Sequence, residues 1–295
     1  RGHHLEVMKK NGLTLIDPTG EEKTAIVTCT DDPHSLGVQD YLFLTIKSPA
    51  LLPSLKAMKP LIGKDTTIIT CMNGIPHWYF HKLDNKYANY KIKCLDPNLL
   101  IDTILPPDNI VGSVVYPACE IVKPGTIKHI AGNRFSLGEP EGSESDRLKF
   151  ISEILKRAGF RAPIQKNIRD EIWLKLIGNL SFNPISALTG ATLEQICDDQ
   201  GTEAIVRAMM TEAKLIAEEL GAKINMSIEK RIEGARKVGA HKTSMLQDIE
   251  AGKPIEIDSI IIAVKELGEL TCSPTPYIDT ILNLTLQKAK LIGCL

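Results

Sequence analysis

The chain has 295 residues, 43% of them hydrophobic and 24% charged, which excludes a disordered or fibrous protein. At roughly 150 residues per domain, two domains are expected. Thirty-five Lys and Arg face 36 Asp and Glu, a net charge of −1, so nothing draws the chain to a phosphate backbone or an anionic membrane, and no nucleic-acid partner is expected. The seven cysteines, Cys29, Cys71, Cys94, Cys119, Cys197, Cys272 and Cys294, form no Cys-x-x-Cys pair, and several lie in apolar runs, as free thiols of a reducing compartment do. No stretch approaches the ~18 apolar residues of a membrane span and no signal-peptide layout opens the chain, which points to a cytoplasmic protein with no membrane partner.

In chain order, Leu13 to Ile16 and Thr24 to Cys29 are expected as short strands around Pro18-Thr19-Gly20. Tyr41 to Ile46 is an unbroken apolar run ending at Lys47, as in a strand buried on both faces. Leu51 to Leu61 has helical spacing, and Thr67 to Met72 is a second buried strand stopping at Asn73-Gly74, so this stretch predicts a parallel βαβ unit. Residues 84–109 are rich in Asn, Asp, Lys and Pro and are expected as an inserted loop with a short helix. Ile110 to Tyr116, Thr126 to Ile130 and Phe135 to Leu137 are further strands, followed by a helix over Arg147 to Ala158 and a short strand near Pro163 to Lys166. Beyond it helical periodicity dominates, over 168–182, 192–220, 227–239, 256–269 and 274–291. The fold class is an α/β domain over 1–166 followed by an all-α domain over 167–295.

Three segments could carry chemistry. Lys47 and Asn73-Gly74 fall at the carboxyl ends of adjacent strands, where open α/β sheets bind ligands, although a solvated lysine and a plain turn account for them equally well. Lys175, Asn179 and Asn183 stand at i, i+4 and i+8, one polar stripe among Ile172, Trp173, Leu176 and Leu180 if the helix runs past Pro184. Such groups are costly in an apolar setting unless a substrate hydroxyl or carboxylate pairs with them, or the stripe is simply a solvated edge. Ser244 and Asp248 share a helix face, and Glu256 opens the next helix, where a carboxylate is also favoured by the dipole alone. The seven histidines show no His-Glu-x-x-His, so no metal is expected; His77 and His81, beside Trp78-Tyr79-Phe80, read as packing or rim residues. Gly-x-Ser-x-Gly and Gly-x-x-x-x-Gly-Lys are absent.

In order and spacing, Lys47, Asn73-Gly74, Asn167-Ile-Arg-x-Glu-x-Trp-x-Lys175-x-x-x-Asn179-x-x-x-Asn183-Pro184, Ser244-Met-Leu-Gln-Asp248 and Glu256-Ile-Asp258 resemble the ketopantoate reductase (2-dehydropantoate 2-reductase) family, from Arg1 to about Leu291. The resemblance implies a Rossmann-like first domain, a helical domain like that of 6-phosphogluconate dehydrogenase, and hydride transfer from NADPH to ketopantoate on the route to pantothenate and coenzyme A. It implies Lys175 as general acid, with Glu256 keeping it charged. Asn179, Asn183 and Ser244 would hold the substrate, Asn73 would stand between substrate and cofactor, and Arg1, Lys47, the backbone near Ala118 and Glu256 would meet the cofactor. A homodimer is also implied.

Two departures stand out. Thr189 to Leu193 holds no asparagine where the family usually has a further one, and no Gly-x-Gly-x-x-Gly turn occurs. With Arg1 rather than Met opening it, the chain is expected to lack the domain's first strand-helix unit and to bind NADPH poorly on its own. The alternatives are a reductase of another branched 2-keto acid or an imine, and a non-catalytic binding or assembly module.

Overall fold

The computed structural model describes all 295 residues. Strands β1 (Leu13–Ile16) and β2 (Glu22–Ala25) follow helix α1 (Gly2–Asn11). Strand β3 (Tyr41–Leu44), α2 (Leu51–Met58) and β4 (Thr67–Thr70) come next, with α3 (Ile101–Ile104) leading to β5 (Ile110–Val115), β6 (Ala118–Lys123), β7 (Thr126–Ala131), β8 (Phe135–Gly138) and α4 (Asp146–Arg157). The rest is helical: α5 (Ile168–Thr189), α6 (Leu193–Asp198), α7 (Gln200–Glu219), α8 (Ile228–Val238), α9 (Ser244–Glu250), a π-helical turn at Asp258–Ile262, α10 (Ala263–Thr271) and α11 (Pro276–Ile292). None of these helices is long and apolar enough to cross a membrane.

The strands form two sheets, ordered β2-β1-β7-β6 and β3-β4-β5-β8. In the second, β3 pairs with β4 in parallel, Tyr41 opposite Thr67, with α2 as the crossover, which is the expected βαβ unit. Strand β5 continues in parallel, and β8 closes the edge antiparallel. Successive side chains of a strand point to opposite faces. Ile69, Val111 and Leu137 therefore meet Leu148 and Ile151 of α4, while Ile68, Ile110 and Val114 join the larger core shared with α5.

Helix α5 runs the length of 22 residues, roughly 33 Å. Asn167 caps it by accepting the Arg169 N–H, Asp170 and Glu171 occupy its positive first turn, and left-handed Gly190 ends it. Burial on nearly every side explains why Pro184 does not stop it: packing from the sheet and from α7, α9 and α11 outweighs one missing backbone hydrogen bond.

Several elements differ from expectation. The strand expected over Thr24 to Cys29 ends at Ala25, and the one expected at Pro163 to Lys166 is reduced to bridges beside β8, because Pro163 has no N–H to donate. The stretch 192–220 divides at Asp199, whose carboxylate caps α7 on the Thr202 N–H at 2.8 Å. The helix expected to open at Glu256 begins at Asp258 and opens as a π turn. Helix α1, which buries only Leu5, and the exposed strand β6 carry no sequence pattern that announced them.

The two halves meet where the loop after β4 lies against the π turn. Ile75 donates its N–H to the Ser259 carbonyl at 2.8 Å. A Cβ at Gly74 would lie 2.3 Å from that same carbonyl oxygen, and φ there is +86°, so only glycine fits.

Candidate active site

Four elements converge at the carboxyl edge of the second sheet. The loop leaving β4 carries Asn73, β5 presents the Val115 carbonyl, α5 projects Lys175, and the turn before the π helix carries Glu256. The Lys175 ammonium donates to Asn73 Oδ1 at 2.7 Å and to the Val115 carbonyl, and it sits 5.7 Å from the centre of the Tyr116 ring. Asn73 passes the connection on, its Nδ2 donating to Glu256 Oε2 at 2.9 Å. The Ser48 N–H donates to the other Glu256 oxygen at 3.3 Å.

Burial pushes Lys175 down to about 8 from the ordinary 10.5; the Glu256 carboxylate opposes that shift and the Arg231 guanidinium adds to it. The expected carboxylate near Lys175 is thus present, one amide away rather than in direct contact. An amine so held is poised to give up a proton near neutral pH, which suits a general acid.

The other residues singled out in the sequence divide. Asn179 lines the cavity beside Lys175, one turn further along α5. Asn183 is buried another turn on, away from the cavity wall. Lys47 pairs with Asp248 of α9, and Ser244 stands exposed one turn before Asp248. Arg1 is exposed at the head of α1 and Ala118 opens β6 in the other sheet; neither shares a cavity wall with Lys175.

Sequence reasoning passed over the support beneath Lys175. Glu171, one turn before it, accepts from Arg134 Nη2 at 2.7 Å, from Ser136 Oγ at 3.0 Å and from the Tyr116 hydroxyl at 3.2 Å. That fixes the Tyr116 ring over which the ammonium sits. The i−4 spacing of Glu171 on a predicted helix was the available signal. Half-buried Cys71, held up at about 12 by desolvation, and the hydroxyls of Ser113 and Ser259 also border this region, hidden in runs that read only as core.

Residues 1–142 match the family described as ketopantoate reductase PanE/ApbA, and residues 167–289 match its C-terminal counterpart. A 2-dehydropantoate 2-reductase from Mesorhizobium japonicum is 48% identical over 294 residues, covering 100% of this chain and 90% of the relative. A crystal structure assigned to the ketopantoate reductases, from Ralstonia solanacearum MolK2, superposes with a TM-score of 0.95 at 39% identity, covering 100% of this chain and 90% of that one. A 2-dehydropantoate 2-reductase from Geobacter metallireducens GS-15, at 22% identity and a TM-score of 0.84 over 98% of this chain and 90% of that one, shares the fold. By its sequence and its fold, this chain belongs to the ketopantoate reductase family.

Proposed function

We propose that this protein reduces the ketone of 2-dehydropantoate to pantoate with NADPH as hydride donor, in the cytoplasm and as a homodimer. The observation that carries the reading is the Glu256–Asn73–Lys175 relay at the carboxyl edge of a parallel sheet, in a chain 48% identical to a 2-dehydropantoate 2-reductase.

A nicotinamide cofactor supplies a hydride to the carbonyl carbon. The residues present fit its reactive end: the crevice beyond β3 and β4 offers the Asn73 amide and the exposed Lys47 ammonium. The sequence has no Gly-x-Gly-x-x-Gly turn, so the pyrophosphate has no seat of that kind within these 295 residues. As the carbonyl oxygen gains charge, Lys175 Nζ donates a hydrogen bond to it and then its proton, leaving a neutral amine and a hydroxyl. Glu256 holds Asn73, which orients the ammonium, and its charge keeps Lys175 protonated in the resting site. Asn179, Asn183 and Ser244 are assigned to holding the substrate, and Arg1, Lys47 and the backbone at Ala118 to the cofactor. Exposed Leu284 and Leu291 on α11 support pairing of two copies through the helical part, which sedimentation checks.

The decisive assay is NADPH oxidation with 2-dehydropantoate, run on this chain, on a version extended upstream, and on Lys175→Ala. Turnover that requires Lys175 upholds the reading. Turnover only with other branched 2-keto acids transfers the same chemistry to a different substrate, and no turnover in either form of the chain overturns it.

A further inference from the structure

Buried polar side chains in folded proteins nearly all have hydrogen-bond partners, and each exception calls for an explanation. Here the fully buried side-chain atoms left without a partner belong to four residues: His77, Ser113, Arg231 and Ser259. Three of them, His77, Ser113 and Ser259, line the one cavity that also holds Lys175 and Asn179. His77 is the extreme case, because both of its ring nitrogens are orphaned at 7% exposure.

The position of His77 is set by its surroundings rather than by a bond of its own. Three residues upstream Gly74 is pressed against Ser259, and next to it Trp78 donates its indole N–H to Thr70 Oγ1 at 3.0 Å. The chain beyond, the stretch expected as an inserted loop, returns over the cavity as a wall. Glu266 accepts the N–H groups of Lys93 and Cys94 at 2.7 and 2.9 Å, and Asp96 accepts those of Leu100 and Ile101 at 2.8 and 2.7 Å. Leu95 and Ile101 thereby face the cavity with Leu51 from α2. The result is a chamber of mixed polar and apolar lining that brings Lys175 and Asn179 of α5 together with an imidazole whose ring nitrogens have no partner.

We propose that His77 seats a hydroxyl carried by the substrate beyond its reacting carbon, and so determines specificity in this cavity. The proposal rests on the keto-acid reading above and adds to it the recognition of a second, neutral polar group. Burial pushes the ring down to about 4, and the nearby Asp96 and Asp102 charges do not offset that, so His77 is neutral at physiological pH. A neutral imidazole carries one donor and one acceptor, which matches a hydroxyl and serves a carboxylate poorly. The substrate's carboxylate belongs instead near the Lys175 ammonium and the Asn179 amide. A site built around such a group discriminates against the analogue lacking it, because its own polar atoms are then left unpaired.

The test compares 2-dehydropantoate with 3,3-dimethyl-2-oxobutanoate, the same skeleton without the hydroxyl, in wild type, His77→Leu and His77→Gln. Reduction kinetics are paired with calorimetric binding of pantoate and of deoxypantoate. Wild type is expected to favour the hydroxylated member of each pair by about 10- to 100-fold. His77→Leu should lose most of that preference through the hydroxylated compound, and His77→Gln should recover part of it. The melting temperature of His77→Leu should hold or rise, since an orphaned buried polar group is removed; a structural histidine would show a fall. Equal preference in wild type and His77→Leu, or a loss shared by both members of a pair, overturns the proposal. If no keto acid is reduced but pantoate binds with this preference, the reductase reading fails and the assignment of His77 stands.

Discussion

Two basic side chains, each tied to a buried carboxylate, show how differently the same ingredients can be used. Arg147 on α4 grips Glu139 with a two-pronged fork, Nε at 2.8 Å and Nη2 at 2.6 Å, and gives two further N–H groups to the carbonyls of Asp108 and Ile110. Glu139, 1% exposed, also takes the Ser145 hydroxyl. Four of the five guanidinium N–H groups and both carboxylate oxygens are engaged, and the pairing holds Arg147 above its ordinary range. Lys175 gives its donors to two neutral oxygens and reaches Glu256 only through Asn73, so burial wins and its proton is loosened to about 8. A saturated pair stabilises the fold, whereas an incompletely paired cation keeps a donor free for a substrate.

The largest effects follow from inverting the two. Lys175→Met should lower kcat for 2-dehydropantoate by about 10²- to 10⁴-fold, the usual contribution of a general acid, while the melting temperature holds or rises as a desolvated charge disappears. Arg147→Met leaves Glu139 buried and uncompensated, and denaturant unfolding should show a loss of about 3–5 kcal/mol with KM unchanged. A stable but inactive Arg147→Met, or an active but unstable Lys175→Met, would break the contrast.

The pH dependence sharpens it. Lys175 must be protonated to act, so kcat/KM should fall as pH rises through about 8. Its effect on stability has the opposite sign. The unfolded lysine holds its proton up to its ordinary 10.5 while the folded one releases it near 8, so the penalty for burying the charge is complete below about 8 and is relieved between there and 10.5. Lys175→Met should lose that rise in a pH series of unfolding curves. Because Glu256 raises the Lys175 pKa, Glu256→Gln should move the alkaline limb of the rate profile to lower pH, with a modest loss of kcat, roughly tenfold, at neutral pH. An unmoved limb would mean that the charge of Glu256 does not reach Lys175.

Much of this arrangement was legible in the chain itself. The apolar runs at β3 and β4 and the helical run between them define the βαβ unit, and the turns at Lys47 and Asn73 mark its ligand edge. The spacing of Lys175 and Asn179 put both on one helix face, and both line the cavity. What sequence could not show is what long-range packing decides. Pro184 reads as a stop but sits in a helix held from all sides, and Pro163 reads as part of a strand but lacks the N–H to pair. His77 beside three aromatic residues reads as a packing histidine, and only the return of the wall at Leu95 and Ile101 encloses it in the cavity. The direct pairing of Lys47 with Asp248, 201 positions apart, likewise has no local signature.

That last pair supplies the smallest effect and a third point on the comparison. The Lys47 side chain is 47% exposed against 10% for Asp248, so solvent screens it as it does not screen Glu139 and Arg147. Exposed pairs contribute about 0–1 kcal/mol, and Lys47→Met should change unfolding free energy by no more than that. Its position beyond β3 predicts a kinetic effect instead: KM for NADPH should rise severalfold with kcat nearly unchanged, and added salt should raise the wild-type KM more than that of the variant. Asp248→Asn frees the ammonium without removing it, so its KM for NADPH should fall or hold. A rise in both variants would make the pair a strut between β3 and α9, closer in kind to Arg147 than to Lys175.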